Sequence, residues 1–516
     1  MTSQTHRGEA RGRPAGAATA AICVSILLTI TIGLLGPSAM VPSLGGPAWL
    51  PPFSLGVDPE PHLVIALAAA AIILGGLGLL GALLTLRRSP GPGSSGPGSS
   101  GPGLSGPRWL DPRWLVTAGC LAAGILAFLP PSGSGDHLNY AAYGRMVTLG
   151  LSPYTHGAVD LPGDPMADAV EEPWREEPSV YGPVATAVQA LASWIAGDSL
   201  KLTMFVLALV NAAAFIATAL LIDRFTRGDP AGRLRAALLW TANPLLLYQL
   251  VAGMHVDTLA IACMVAALLA RSRPVGAGAL LGLGVAVKVN AGLVALGPAW
   301  ELRRRPARLA LMAGCAVMVV VVGYAIVGPE AIAPMTRTSK SISHASPWKL
   351  VQGWLQSIVG TGSAYRGEIQ IGSLLLLALI AWALLRLAAR RGLLGGGSGG
   401  GLEAPVVAAG LVVAYLFATP YILPWYDGLA FALLALVAVS ALDTFVVVHL
   451  LVLSLAYLPA RVEGVPADLE WLSKVLRPQL AWVLLALTAA LVVWAWRAAG
   501  PVRRPRASAA RPPLAP

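Results

Sequence analysis

Uncharged apolar runs, many of them close to the roughly 20 residues that a membrane-spanning helix needs, recur from Ala17 to Trp496 with short Arg-rich turns between them. Backbone N–H and C=O groups find no water inside a bilayer, so such a chain must cross as helices that satisfy their own hydrogen bonds. The charge content agrees: 12% of the residues are charged and 56% are hydrophobic, whereas soluble domains carry about 25% charged residues. The runs predict an all-α, polytopic integral membrane helix bundle with about 11 to 14 transmembrane helices. The net charge of +11 does not point to nucleic acid, because the basic residues sit in the turns, where they set membrane orientation. Cys23, Cys120, Cys263 and Cys315 lie in apolar runs without a CxxC pair. They read as small buried hydrophobes, not as a zinc site or disulfide scaffold.

The chain divides into N-terminal membrane helices (1–88), a linker (89–107), a main transmembrane domain (108–500) and a basic tail (501–516). Arg7, Arg11 and Arg13 precede the run Ala17 to Leu35, which lacks a clean small-residue cleavage site and is expected to stay as a first helix. The linker contains GPGSSGPGSSGPG, which buries nothing and is expected to be flexible and cytoplasmic. By the positive-inside rule the Arg-rich turns face the cytoplasm, so the loop 131–180 faces outward. Tyr181 to Ala196 is then interfacial or re-entrant. Ala236 to Ala252 is expected to cross outward. Val275 to Trp300 has basic residues at both ends yet is too short for two spans, which predicts a broken hairpin with Lys288 near its tip.

The outer segments gather carboxylates with aromatics. Asp136 follows the membrane exit at Pro130-Pro131 and opens DHLNYAAYGR. A carboxylate there can accept a proton from a hydroxyl, or it can merely cap the next helix. Lys288 is costly in lipid and marks a site by default, unless it reaches the headgroups. With Arg145 and His255 it could hold an anion. His137, Tyr140, Tyr143, Tyr154, Tyr181, Asp257, Tyr421 and Trp425 are candidate substrate contacts, and for each aromatic the interfacial belt is the alternative. Asp136, His137, His255 and Asp257 could be assembled into a metal site, but no spacing demands one and none is expected; nor is a cofactor. No nucleotide-binding fingerprint appears, so an activated donor must arrive in the membrane.

At these residues the chain resembles the polyprenol-phosphomannose-dependent α-1,6-mannosyltransferases of actinobacteria, within the multi-span C-type (GT-C) glycosyltransferase superfamily. The pieces are DHLNYAAYGR, GLSPY at Gly150, SVYGP at Ser179, Asn243-Pro244, GMHVD at Gly253, GVAVK ending at Lys288 and PYILPWYD at Pro420. The chain departs from the family pattern at Val256, where Asn is expected between His255 and Asp257. The resemblance implies a GT-C-like fold, with catalysis at the first large extracytoplasmic loop of a multi-pass cell-membrane protein. It implies mannose transfer with inversion from polyprenyl-phosphomannose to a lipid-anchored α-1,6-mannan, the core of lipomannan or lipoarabinomannan. Asp136 is the implied general base, and Lys288, Arg145 and His255 the implied contacts of the donor phosphate. Two alternatives stand beside it: a flippase or transporter of lipid-linked sugar, and a GT-C enzyme using another polyprenyl-phosphate sugar. A transporter should show paired broken helices in matching halves, and only one broken hairpin is legible.

Overall fold

The computed structural model describes residues 5–88, 111–394 and 403–500, with side chains from residue 16 onward. The linker, the Gly-rich stretch 395–401 and the basic tail lie outside the described residues. In chain order the helices are α1 (Thr5–Leu35), α2 (Pro61–Arg88), α3 (Pro112–Ala127), α4 (Asp136–Thr148), α5 (Pro165–Asp168), α6 (Pro183–Ala196) and α7 (Leu200–Thr226). Then follow α8 (Pro230–Leu239), α9 (Pro244–Leu246), α10 (Asp257–Leu269), α11 (Pro274–Val287), α12 (Leu296–Glu301) and α13 (Pro306–Val327). The last are α14 (Ile332–Thr338), α15 (Pro347–Ile358), α16 (Arg366–Arg390), α17 (Glu403–Ala418), α18 (Asp427–Leu434), α19 (Leu442–Tyr457) and α20 (Arg477–Ala498). Among the described residues six helices are 20 residues or longer and apolar enough to cross a membrane, and six shorter apolar helices pack among them. The chain is a polytopic helical membrane protein. Its lipid-facing surface is clearest on α13, where Met312 alone is buried among 22 residues.

Ion pairs fasten the basic turns into one end of the bundle. Arg235 grips Asp443 through two bonds of 2.7 and 2.6 Å and donates to the carbonyl of Val437 at 2.8 Å. Arg87 reaches Thr444 at 3.2 Å, and Arg303 reaches Glu403 at 3.0 Å. The loops at the other end carry Asp136, His255, Lys288, Tyr421 and Arg477.

The segment 274–301 is broken at its middle. Lys288 has extended dihedrals (φ −152°, ψ 118°) between α11 and a tight 3₁₀ stretch, Val289–Ala295, that leads into α12. Arg271 pairs with Glu301 at 3.2 Å, so both feet stand at the same end and the segment is a hairpin with Lys288 at its tip. The 14 residues of α11 rise about 21 Å at 1.5 Å each, short of a 30 Å hydrocarbon core. The tip therefore lies inside the bundle instead of projecting beyond it. α11 runs parallel to α13 at very close range: a Cβ on Gly278 would stand 2.2 Å from the Met312 carbonyl, and one on Gly282 2.6 Å from that of Ala316. Small residues allow this approach where no hydrophobic effect drives helices together.

The expected single crossing from Ala236 to Ala252 is not one helix. α8 stops at Leu239, and the chain restarts at Asn243-Pro244. Pro244 has no N–H to continue the ladder, and Asn243 Oδ1 accepts from the amides of Leu245 and Leu246 at 3.1 and 3.2 Å. A π-helical turn, Leu247–Ala252, follows, and the interruption lets the chain turn sharply to His255. α6 has 14 residues and is too short to cross alone, which fits an interfacial or re-entrant segment.

α6 braces α4, the helix that carries Asp136. The two cross at Gly144, where an added Cβ would lie 2.2 Å from the Gln189 carbonyl. Gly144→Ala must push α4 away from α6 and is expected to cost about 1–3 kcal/mol. The melting temperature of the detergent-solubilised protein should fall by a few degrees, whereas Gly124→Ala, with open space around it, should leave it unchanged. Equal melting temperatures for the two variants would refute the close crossing.

Candidate active site

The site begins where α3 ends. After Pro130-Pro131 the chain is pinned by two backbone bonds, Ser132 N to Ala252 O at 2.8 Å and Gly133 N to Met40 O at 3.0 Å. Gly135 is the N-cap of α4, with no side-chain cap bond, and Asp136 is the first helical residue. The carboxylate of Asp136 is thus not spent as a cap. Asp136, Asn139, Tyr140 and Tyr143 follow at i, i+3, i+4 and i+7 and form one helical face. That face lines a cleft of about 420 Å³. Tyr181 and Glu177, in the segment before α6, complete this wall, and Tyr143 donates to the Glu177 carbonyl at 2.8 Å. Opposite stand Arg337, Ser341–Ala345, Tyr421–Pro424, Tyr457 and Arg477.

Behind Asp136 lies a dry polar layer. His255 Nδ1 is 3.8 Å from Asp136 Oδ2 and 3.5 Å from the Tyr140 hydroxyl, which is 3.1 Å from the Tyr181 hydroxyl. The His255 ring is fully buried and stacks on Trp425 at 3.5 Å between centroids. Lys288 Nζ donates to both oxygens of Asp257, at 2.6 and 2.7 Å, and lies 4.1 Å from the centre of the Tyr426 ring. Loss of water pushes the Asp136 carboxyl up to about 7; the Lys288 charge opposes the rise and Asp257 adds to it. Three-quarters of the Asp136 side chain is out of contact with solvent, and the rest faces the cleft.

The expected site residues fall into three groups. Asp136, Tyr140, Tyr143, Tyr181 and Tyr421 line the cleft. His255, Asp257, Lys288 and Trp425 form the layer behind it. Trp425 is 1% exposed, and one of its faces is taken by His255, so it positions the histidine and offers no open face to a sugar. Lys288 faces a small separate cavity with Asp257 and Tyr415, and its charge is already matched. Arg145, His137 and Tyr154 lie away from the cleft. Arg145 is nine residues after Asp136, about 900° around the helix and so on its far side, where Asp164 and Asp198 hold it, each at 2.7 Å. His137 is fully buried, and burial with the Arg461 charge pushes its pKa down to about 3. Tyr154 is buried, with its hydroxyl 2.8 Å from Thr186 Oγ1.

Several lining residues were not foreseen. Asn139 and Glu177 lie close to expected positions, and the i+3 spacing from Asp136 would have found Asn139. Arg337, His344 and Arg477 come from segments 200 or more residues further along the chain, and no motif connects them to Asp136. Among the described residues, no three His, Cys, Asp or Glu side chains converge where they could hold a metal ion.

Fold and site together define a polytopic helical membrane protein with an acid-bearing cleft at the end opposite its basic turns. Residues 24–304 match the family described as "Alpha-(1->6)-mannopyranosyltransferase, N-terminal domain", and the chain belongs to that family. It is 28% identical over 170 residues to "Alpha-(1->6)-mannopyranosyltransferase A" of Corynebacterium glutamicum, covering 33% of this chain and 34% of that one. It is 26% identical over 196 residues to "Alpha-(1->6)-mannopyranosyltransferase B" of the same organism, 38% of this chain and 30% of the relative. With "Alpha-(1->6)-mannopyranosyltransferase A" of Mycobacterium tuberculosis it shares 30% over 168 residues, 32% of each. The chain thus spans about a third of the length of each of these relatives. No solved structure matches it significantly.

The electrostatics of Asp136 can be read directly by infrared difference spectroscopy, because only the protonated carboxyl gives a C=O stretch. That band should disappear with a midpoint near pH 7 as pH rises, and it should be missing in Asp136→Asn. Lys288 lowers the Asp136 pKa, so Lys288→Met should move the midpoint upward. A downward shift, or a wild-type midpoint near 4, would refute the electrostatic assignment.

Proposed function

We propose that this chain is a membrane mannosyltransferase. It moves mannose from a polyprenyl-phosphomannose to a growing, lipid-anchored α-1,6-mannan of the cell envelope, the core of lipomannan or lipoarabinomannan. The observation that carries the reading is Asp136: a carboxylate at the wall of a cleft, not used as a cap, with its pKa raised to about 7, in a chain of a family described by α-(1→6)-mannopyranosyl transfer.

A general base works best when its pKa is near the working pH, and Asp136 meets that condition. The acceptor's primary hydroxyl lies against Asp136 and gives up its proton to the carboxylate. The oxygen attacks the anomeric carbon of the donor as the bond from that carbon to the phosphate oxygen breaks. The attack comes from the face opposite the leaving group, so a β-linked donor gives an α product. The electron pair leaves with the polyprenyl phosphate, and the proton stays on Asp136 until solvent removes it. Tyr140, Tyr143, Tyr181 and Tyr421 supply hydroxyls and ring faces to hold two sugars, and burial of the site strengthens each polar contact. The Asp257 carboxylate neutralises Lys288 locally, so burial remains the main influence on Asp136. The cleft opens at the end opposite the Arg-rich turns, which supports a site on the extracytoplasmic face.

The test is transfer of labelled mannose from polyprenyl-phosphomannose to an α-1,6-dimannoside in detergent extract. Wild-type protein should yield an α-1,6-linked trimannoside. Asp136→Asn should lower the rate by about 10²–10⁴-fold with insertion and melting temperature preserved. A base must be ionised to act, so wild-type activity should fall as pH drops below about 7. Normal transfer by Asp136→Asn would remove Asp136 from the mechanism. Absence of mannose transfer by well-folded wild-type protein would remove the reading itself.

A further inference from the structure

The reaction just proposed ends on a phosphate monoester of a polyprenol, and the increase of negative charge on that phosphate needs a preorganised cation. Lys288 and Arg145 do not meet the need, because carboxylates already hold both and neither lines the cleft. The cleft has other cations. Arg337 and Arg477 line the wall opposite α4, and neither has a carboxylate within ion-pair distance among the described residues. We infer that Arg477 and Arg337, with His344 beside them, form the seat of the polyprenyl phosphate, the donor's phosphate on arrival and the leaving group on departure. This inference rests on the proposed transfer and names its donor subsite.

The guanidinium of Arg477 is fixed in place. Its Nε donates to the Ala456 carbonyl at 2.7 Å, and its Nη2 stands 3.4 Å from the carbonyls of Tyr457 and Leu458. These are the last carbonyls of α19 and the one after it, the negative end of that helix's dipole, where a cation is favoured. Nη1 carries no protein hydrogen bond among the described residues, and it is not among the buried unpaired atoms. A planar guanidinium held at one edge and open at the other presents a donor to an oxyanion without further ordering. Arg337 has an exposed side chain in the last turn of α14, and its guanidinium makes no hydrogen bond among the described residues.

The segment between them is fastened to the opposite loop. Ser343 N donates to Pro420 O at 3.0 Å, Ser343 Oγ donates to Ile422 O at 2.8 Å, and Ile422 N donates back to that Oγ at 2.9 Å. His344, next in the chain, is drawn toward its neutral form by partial burial and by the charges of Lys349 and Arg477. Burial is the larger cause, and the two positive charges add to it. Tyr457 lines the same cleft as Asp136 and Arg477, so base and cation share one enclosure. Apolar residues Ile342, Leu423 and Leu453 beside the cations suit the first isoprene unit of a lipid and not a second sugar. A phosphate there leaves the α4 wall, with its tyrosines and Asp136, to the acceptor.

Farnesyl phosphate and inorganic phosphate distinguish a lipid phosphate from a free anion. Binding of each to the purified full chain in nanodiscs is measured without turnover, by calorimetry. Farnesyl phosphate should bind the wild type more tightly than inorganic phosphate, because isoprene units fill the apolar part of the seat. Arg337→Gln should weaken farnesyl phosphate binding by about tenfold or more, as expected for a charge-assisted contact, and Arg337→Gln/Arg477→Gln should weaken it further. Arg477 also holds α19, so Arg337→Gln, which breaks no side-chain hydrogen bond or ion pair among the described residues, keeps the test valid if the double variant fails to fold. Equal affinity of the wild type for the two ligands would overturn the lipid as occupant. Farnesyl phosphate binding unchanged within twofold in Arg337→Gln would overturn the site. Because no sugar is transferred in this measurement, loss of the site and loss of the transferase reading are separately visible.

Discussion

The bond between Lys288 and Asp257 holds the working end of this molecule together. Lys288 is the extended break in a hairpin that enters and leaves at the same end, and Asp257 is the first residue of α10. Their contact ties the hairpin tip to the turn that carries His255. Removing one partner from such a buried pair leaves an unmatched charge and costs about 3–5 kcal/mol. The pair also does electrostatic work. Its two charges act on Asp136 in opposite senses, so desolvation is left as the main influence on that carboxyl. A free lysine at the same place would hold Asp136 ionised and weakly basic.

Desolvation needs walls, and the walls come from distant parts of the chain. Arg461 joins Glu171 in a buried ion pair, donates to the Ser38 carbonyl at 2.8 Å, and its neighbour Val462 N reaches the other Glu171 oxygen at 3.0 Å. The segment between α5 and α6, the turn after α1 and the loop before α20 are therefore fastened to one another. This clamp keeps α4 facing the start of α20 across the cleft. Glu171 is the buried anchor of the acid-rich first loop, at 4% exposed, whereas Asp160, Asp168, Glu172, Glu176 and Glu177 stay exposed.

Much of this was legible before any coordinates. The helix bundle followed from apolar runs, and the hairpin from a charge conflict that one full span could not satisfy. The place of Asp136 is legible, because it opens a helix just after an apolar run, and helical spacing puts Tyr140 and Tyr143 beside it in the cleft wall. The differences have physical causes. Arg145 is close to Asp136 in sequence, but nine residues of helix turn it to the opposite side. Lys288 reads as an available cation because sequence does not show that Asp257 meets it. Trp425 belongs to an aromatic cluster whose members differ in burial, and only packing separates Tyr421 in the cleft from Trp425 behind it. The break at Asn243-Pro244 was in the sequence, but the apolar run around it outweighed the proline.

The cleft also divides along the chain. Asp136, His255, Asp257 and Lys288 fall within residues 24–304, the part that matches the family, whereas Arg337, His344, Tyr421 and Arg477 fall beyond it. Asp136 and the charges around it thus fall in the matched segment, and the opposite wall falls beyond it. A base that removes a proton from a sugar hydroxyl needs the same surroundings whatever lipid or glycan it meets. The wall that seats the other reactant must suit a particular anion and a particular tail.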